Sequence, residues 1–411
     1  MSRFISFQRV LALCLAASPC AWAADDPGLA AIRNEIRELK EAYEARIRAL
    51  ERRLGEAEAT ASQAPAPAVA VTRAPAPSSA STVNAFNPAL SVVLQGRYAN
   101  LSRRPSEFAI AGFALGDEVG PGRRGFGLGE SELTLSANVD DRFAGTLTVA
   151  LTPENTLGVE EAYAIYTGGP LGLATKFGRF FSGIGYQNEQ HQHVWDFIDA
   201  PLAYQAFLGG HYANDGLQVK WVAPMDHFLE LGAEAGNGDG FPGTPRDRNG
   251  IGSSAIYAHT GGDVGASHSW RAGISYLRTR AEDEGSQRLG VADFVWKYAP
   301  NGNARQTNFK LQGEYFRSTS AQAARRSGWY LQGIYQFMPR WRLGARYDRL
   351  DAGAGAEFTP RKSSVMVDFS PSDFSRLRLQ LAQSRTQPEV TDNQVFLQYI
   401  LSLGAHGAHR Y

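Results

Sequence analysis

From residue 87 to the end, apolar and polar residues alternate with a period of two, in short segments separated by turn signals. Successive side chains of a β-strand point to opposite faces, so each such segment has one apolar face and one polar face. Glu132 to Val139 shows this plainly: Leu133, Leu135, Ala137 and Val139 share one face, while Glu132, Thr134, Ser136 and Asn138 share the other. The pattern recurs in Leu147, Val149 and Leu151 against Thr146 and Thr148, and again over 217–221, 341–348 and 376–381. A soluble sandwich also alternates, so further features must decide.

Three features favour a transmembrane β-barrel. The segments run to about ten residues, the length of a tilted crossing of the bilayer. Aromatic residues (Phe143, Phe180, Phe228, Trp270, Tyr298, Phe337, Trp341, Phe369 and Tyr411) stand at their ends, where interfacial girdles form. Connections alternate between short turns, near 140–142, 224–226, 338–340 and 371–373, and long loops near 101–127, 182–214, 236–252, 279–290 and 351–361. Segment starts near 90, 130, 143, 159, 173, 216, 228, 254, 267, 291, 308, 327, 341, 361, 376 and 393 predict an all-β barrel of about 16 antiparallel strands. A barrel of that size leaves room for an aqueous channel, unlike an eight-stranded one.

Composition excludes the competing classes. With 41 Lys+Arg against 41 Asp+Glu the chain is formally neutral, and it lacks the electrostatic footprint of a nucleic-acid binder. No run approaches the ~18–20 consecutive apolar residues of a membrane-spanning helix.

The first 86 residues are of another kind. Arg3 and Arg9, the apolar stretch 10–17 and the small residues Ala21 and Ala23 make 1–23 a secretory signal peptide with cleavage after Ala23. Both cysteines, Cys14 and Cys20, fall inside it, so the exported chain has neither cysteine chemistry nor disulfides. Residues 24–60 are expected to form a short α-helical coiled coil. Their apolar positions Ile32, Ile36, Leu39, Tyr43, Ile47, Leu50 and Leu54 repeat every 11 residues, a spacing that favours a straight or slightly right-handed supercoil. So narrow a stripe calls for identical partner helices. Residues 61–86, rich in Ala-Pro and Ser, form an extended linker, and 87–411 form the barrel.

This order of signal, coiled-coil stalk, linker and mid-sized barrel resembles the phosphate-selective porin (porin O/P) family and its stalked trimeric relatives. The likeness is carried by Phe86-Asn87-Pro88-Ala89, Leu94-Gln95-Gly96-Arg97-Tyr98, Gly129-Glu130-Ser131-Glu132-Leu133, Gly178-Arg179-Phe180-Phe181-Ser182, the segment from Trp195 to Leu202, and the end from Gly404 to Tyr411. Relatives with this terminus are often labelled TonB-dependent receptors, some of them zinc-regulated. A 22-stranded barrel with a plug, however, needs far more than the 325 residues available. The resemblance implies a homotrimer of pores; short turns and long loops place the barrel in the bacterial outer membrane, in contact with its lipid and with the stalk in the periplasm, and a separate alternative is a closed barrel whose stalk reaches toward peptidoglycan or a periplasmic partner.

Within the barrel, Arg97, Lys176, Arg179, Lys220, Arg271, Arg342, Arg346, Arg376 and Arg378 are read as lumenal, opposite Glu132, Glu160, Glu230, Glu234, Asp293, Glu314, Asp348 and Asp368. Opposed charge rows create a transverse field that selects solutes. The barrel segment carries 31 basic and 32 acidic residues, which departs from a strongly anion-selective pore. The 182–214 loop is the candidate constriction, because Trp195, Phe197, Ile198, Leu202, Tyr204 and Phe207 would not stay in water, and Asp196 and Asp199 sit among them. His191 and His193 beside Asp196 and Asp199, together with the terminal His406 and His409, suit a zinc-type ion. They raise the alternative of a zinc-acquisition protein; otherwise no cofactor is expected. No G-x-S-x-G elbow is present, and the chain is read as non-enzymatic. Terminal sequencing of the exported protein should begin at Ala24, and retention of residues 1–23 would overturn the signal assignment.

Overall fold

The computed structural model describes residues 88–116, 119–238, 241, 250–281, 285–320 and 325–404. The signal, stalk and linker lie outside these residues, as do His406 and His409. Seventeen strands succeed one another: β1 (Ala89–Leu101), β2 (Gly125–Leu128), β3 (Ser131–Asn138), β4 (Phe143–Leu151), β5 (Leu157–Tyr166), β6 (Ala174–Phe181), β7 (Ala213–Val222), β8 (Phe228–Gly236), β9 (Ser253–Val264), β10 (His268–Ala281), β11 (Gly285–Tyr298), β12 (Asn308–Ser320), β13 (Arg326–Met338), β14 (Trp341–Asp351), β15 (Arg361–Ser372), β16 (Ser375–Gln387) and β17 (Val390–Gly404). Each pairs antiparallel with its successor from β3 onward, and β17 returns to β1, from Ser91↔Gly404 to Leu101↔Gln394.

The strands make sixteen staves, because β2 and β3 are two halves of one. Both pair with β1, β2 along Gly96–Ala99 and β3 along Ala89–Val93. The break falls at Gly129, whose N–H donates to the Gln95 carbonyl at 2.9 Å. A Cβ there would lie 2.7 Å from the Gln95 Cβ, so the close approach requires glycine. The sequence expectation of sixteen strands therefore matches the closed barrel. Closure leaves no open sheet edge among the described strands, which is what a sheet in lipid requires.

Burial runs opposite to that of a soluble protein. On β14 to β17 many exposed side chains are apolar (Leu343, Tyr347, Val365, Val367, Leu377, Leu379, Leu397 and Tyr399), and many buried ones are polar (Arg346, Asp348, Lys362, Asp368, Arg378, Gln380, Gln394 and Gln398). Apolar outside and polar inside is the transmembrane barrel arrangement. No helix among the described residues is long and apolar enough to cross a membrane. Phe143 against Tyr166 and Trp341 against Phe369 form aromatic pairs at the short-turn end. Phe180, expected in the girdle, is instead fully buried.

The connection expected over 279–290 is mostly strand, since Thr279, Arg280 and Ala281 pair with Gln287, Ser286 and Gly285. Its polar composition reads as loop, but it belongs to a hairpin. The 182–212 connection carries a helix, α1 (Leu202–Leu208), with all seven residues buried. Val365→Arg, on the outward face of β15, should cost about 2–4 kcal/mol in urea unfolding from lipid vesicles if it lies near the midplane. Unchanged stability would mean that this face does not meet lipid.

Candidate functional site

The segment 182–212 lies inside the barrel, bonded to staves around most of the bore. Its first stretch is fixed by carboxylates. Ser182 Oγ donates to Glu234 at 2.6 Å and the Gly183 N–H at 2.8 Å. The N–H groups of Tyr186 and Gln187 donate to the two oxygens of Glu314, each at 3.1 Å. The same Glu314 accepts the hydroxyls of Tyr204 at 2.9 Å and Tyr330 at 2.6 Å. Gly185 has φ +69°, and a Cβ there would meet the Glu314 carboxylate. Asn188 ties the two ends of the segment together: its Nδ2 donates to the carbonyls of Ser182 and Tyr212, and its Oδ1 accepts from the Tyr212 N–H.

Farther along, the chain meets a cationic wall on β12 and β14–β16. Asp196 pairs with Lys310 and, at 3.1 Å, with Arg342. Asp199 pairs with Lys362 at 2.7 Å and Arg346 at 3.1 Å, and it accepts from Gln380 at 2.6 Å. The Trp195 carbonyl accepts from Arg378 at 2.8 Å and Arg376 at 3.4 Å. Arg342 and Arg378 share Asp368, Arg346 also holds Asp348 at 3.0 Å, and Asp348 accepts the Leu202 N–H that opens α1. Burial alone would raise the carboxyls of Asp196 and Asp199. The cations outweigh it and hold both well below the usual carboxylate range: Lys310 and Arg342 for Asp196, Lys362 and Arg346 for Asp199.

Behind the clamp is an apolar core. Ile184, Leu202, Tyr204, Phe207 and Leu208 pack on inward Leu277, Leu289, Val291, Phe316, Tyr330 and Leu350 of the wall. Phe207 and Phe316 stack at 5.9 Å. Each buried Leu or Phe adds about 1.5–3 kcal/mol over exposure. Sequence reading missed these wall residues. Their signal is the loss of alternation in β11, where Leu289 and Val291 are buried and apolar among apolar neighbours.

The remaining sequence-selected cations divide. Lys220 pairs with Glu189 and approaches Glu230 at 3.8 Å. Arg271 lies over the Tyr186 ring at 5.1 Å, and Lys176 over the Tyr163 ring at 4.2 Å. Arg97 reaches Gly122 of the 102–124 loop. Arg179 makes a two-point pair with Asp215 at 2.6 and 2.9 Å, and both residues line the cavity described below.

Among the histidines, His191 Nδ1 stands 3.2 Å from Glu132 and 3.1 Å from Glu160, and its Nε2 stands 3.1 Å from Glu161. His193 Nδ1 is 2.7 Å from Glu132. The neighbouring carboxylates thus come from β3 and β5, whereas Asp196 and Asp199, expected beside the histidines, face the cationic wall. Burial opposes a charge on His191, but hydrogen bonds to the three glutamates outweigh it and raise its pKa well above the ordinary value. Burial takes His211, stacked 3.7 Å from Phe181, down to about 4. Between the segment and the β1–β7 side remains a cavity of about 640 Å³, lined in part by Arg97, Glu130, Glu160, Trp195, Asp199 and His211.

A carboxylate whose folded pKa is depressed stabilises above its unfolded value, near 3.9, and loses that contribution as pH falls through the folded pKa. The protection of the 182–212 amides, expressed relative to the intrinsic exchange rate at each pH, should therefore fall only below about pH 4. Asp196→Asn or Asp199→Asn should loosen the segment at neutral pH, at a cost of about 3–5 kcal/mol, because buried cations lose their partner. Unchanged exchange would refute the clamp.

No family model matches the chain. The anion-selective porin from Comamonas acidovorans superposes with a TM-score of 0.52 at 10% identity, covering 76% of this chain and 98% of that one. The outer membrane channel DcaP of Acinetobacter baumannii superposes with a TM-score of 0.51 at 15% identity, covering 76% and 96%. At such identities the likeness is one of fold. An uncharacterized protein of Aquifex aeolicus (strain VF5) is 32% identical over 386 residues, 80% of each chain. This chain belongs to the same family as that Aquifex aeolicus protein.

Proposed function

We propose that this chain is an outer-membrane porin that passes small hydrophilic or charged solutes by diffusion, with 182–212 as its constriction. The observation that carries this reading is the cavity of about 640 Å³ left between the segment and the β1–β7 side, polar where Arg97, Glu130, Glu160 and Asp199 border it. The fold shared with the Comamonas acidovorans anion-selective porin and with DcaP supports the same reading. So does the outward apolar surface, which fits lipid contact. The residual gap sets the size limit. Arg97 on one side and the glutamates on the other set the charge preference.

The long loops then face the exterior and the short turns the periplasm, where the stalk would lie. A homotrimer is the assembly that the stalk and the porin O/P resemblance suggest. On the outer face of β2 and β5, Phe126 and Leu157 are highly exposed and offer neighbouring copies an apolar surface. Phosphate as a particular solute has no support from the near-neutral barrel.

Purified protein in a planar bilayer should open in steps of three, with a measurable reversal potential under a salt gradient. Arg97→Glu should move that potential toward cations, and Asp199→Asn should raise conductance by loosening the segment. A folded trimer that conducts nothing would sink the channel reading and favour a closed barrel that serves its stalk.

A further inference from the structure

We propose that His191, Glu132 and Glu160 form a binding station for a divalent transition-metal cation of the zinc type, on the wall of the cavity. The ligand atoms of these three side chains all lie within 4.8 Å of one another. The His191 Nδ1 stands 3.2 Å and 3.1 Å from the two carboxylates. Ligands bonded to zinc at about 2.0–2.2 Å in a tetrahedron stand about 3.3–3.6 Å apart, close to the two distances from His191, while the two carboxylates lie within 4.8 Å of each other.

The charge balance also calls for a cation. Three carboxylates, Glu132, Glu160 and Glu161, converge on the one imidazole of His191, so the group stays net negative even with both ring nitrogens carrying a proton. If His191 Nδ1 binds the metal, Nε2–H is left to donate to Glu161, which is the carboxylate–histidine–metal relay that orients ligand histidines. Glu161 is itself held by the Phe181 N–H at 3.2 Å. His193, 2.7 Å from Glu132, fixes that carboxylate in turn. Phe181 meets the His191 ring edge-on at 5.0 Å and His193 lies against it at 5.8 Å, which restricts ring rotation. An imidazole among carboxylates favours zinc-type ions over calcium or magnesium, which prefer all-oxygen sites.

Access is built in. Glu160 lines the cavity, while Glu132 is buried behind it and His191 keeps a fifth of its side chain exposed. A cation in the cavity would meet Glu160 first, the one ligand of the three that lines it. The site is set by rigid strands on one side, β3 for Glu132 and β5 for Glu160, and by the anchored segment on the other.

The test uses the full chain folded in detergent, stripped with chelator, given zinc, and passed over a sizing column before metal analysis. One zinc per chain should be retained in the presence of excess calcium. Cobalt in its place should give the visible absorption of a four-coordinate nitrogen–oxygen site. His191→Gln and Glu160→Gln should each weaken retention by at least about 10–100-fold, the range already lost with mere supporting partners. His227→Gln, whose ring bonds Thr260 at the short-turn end, should leave it unchanged. Two results would overturn the proposal: no zinc retained by the folded chain, which would leave His191 as a protonated ion-pair partner, or equal retention in both variants. Retention is read without any current across a membrane, so a failed channel and a failed metal site give different results.

Discussion

The ion pairs of Asp196 and Asp199 with Lys310, Arg342, Arg346 and Lys362 decide what the interior of this barrel is. A sixteen-stave barrel has too wide a bore for wall side chains alone to fill. Here two carboxylates on one connection draw it across to the cationic wall, and α1 then buries its apolar side against the staves beyond. The two effects reinforce each other. The pairs bring the helix to the wall, and the helix excludes the water that would otherwise screen the pairs. Each cation is shared or backed: Arg346 reaches both Asp199 and Asp348, and Arg342 reaches both Asp196 and Asp368. That sharing satisfies the extra hydrogen bonds a buried pair needs if its desolvation is to be offset.

The barrel itself was legible because its information is local. Alternation at Leu133 and Glu132, or at Leu343 and Arg342, needs only neighbouring residues to be read, and sixteen such segments fix the staves. The division of one stave at Gly129 was not legible, since it rests on how closely the strand passes Gln95. From the sequence, Arg342, Arg346, Arg376 and Arg378 read as one lumenal set opposite acidic residues. Their partners on the inserted segment lie some 150 to 180 residues away in the chain, and no spacing records that.

The histidine cluster shows the same limit more sharply. His191 and His193 stood beside Asp196 and Asp199 in the sequence, and proximity suggested a shared site. The backbone turns between them, so the histidines meet Glu132, Glu160 and Glu161 while the aspartates meet cations. Placing Glu160 and Glu161 both against one ring depends on an irregularity in the pairing of β5 with β4, between Thr148 and Val149, which breaks the alternation that sequence reading relies on.

Asn188 has a consequence for how such barrels diversify. By joining the carbonyls of Ser182 and Tyr212 it brings the two feet of the connection together where β6 and β7 already pair. What lies between the feet can therefore lengthen, shorten or change sequence without a single ladder hydrogen bond of the wall being redrawn. The wall and its insert are separable parts: the staves close through their own ladders, whatever the chain between the two feet contains.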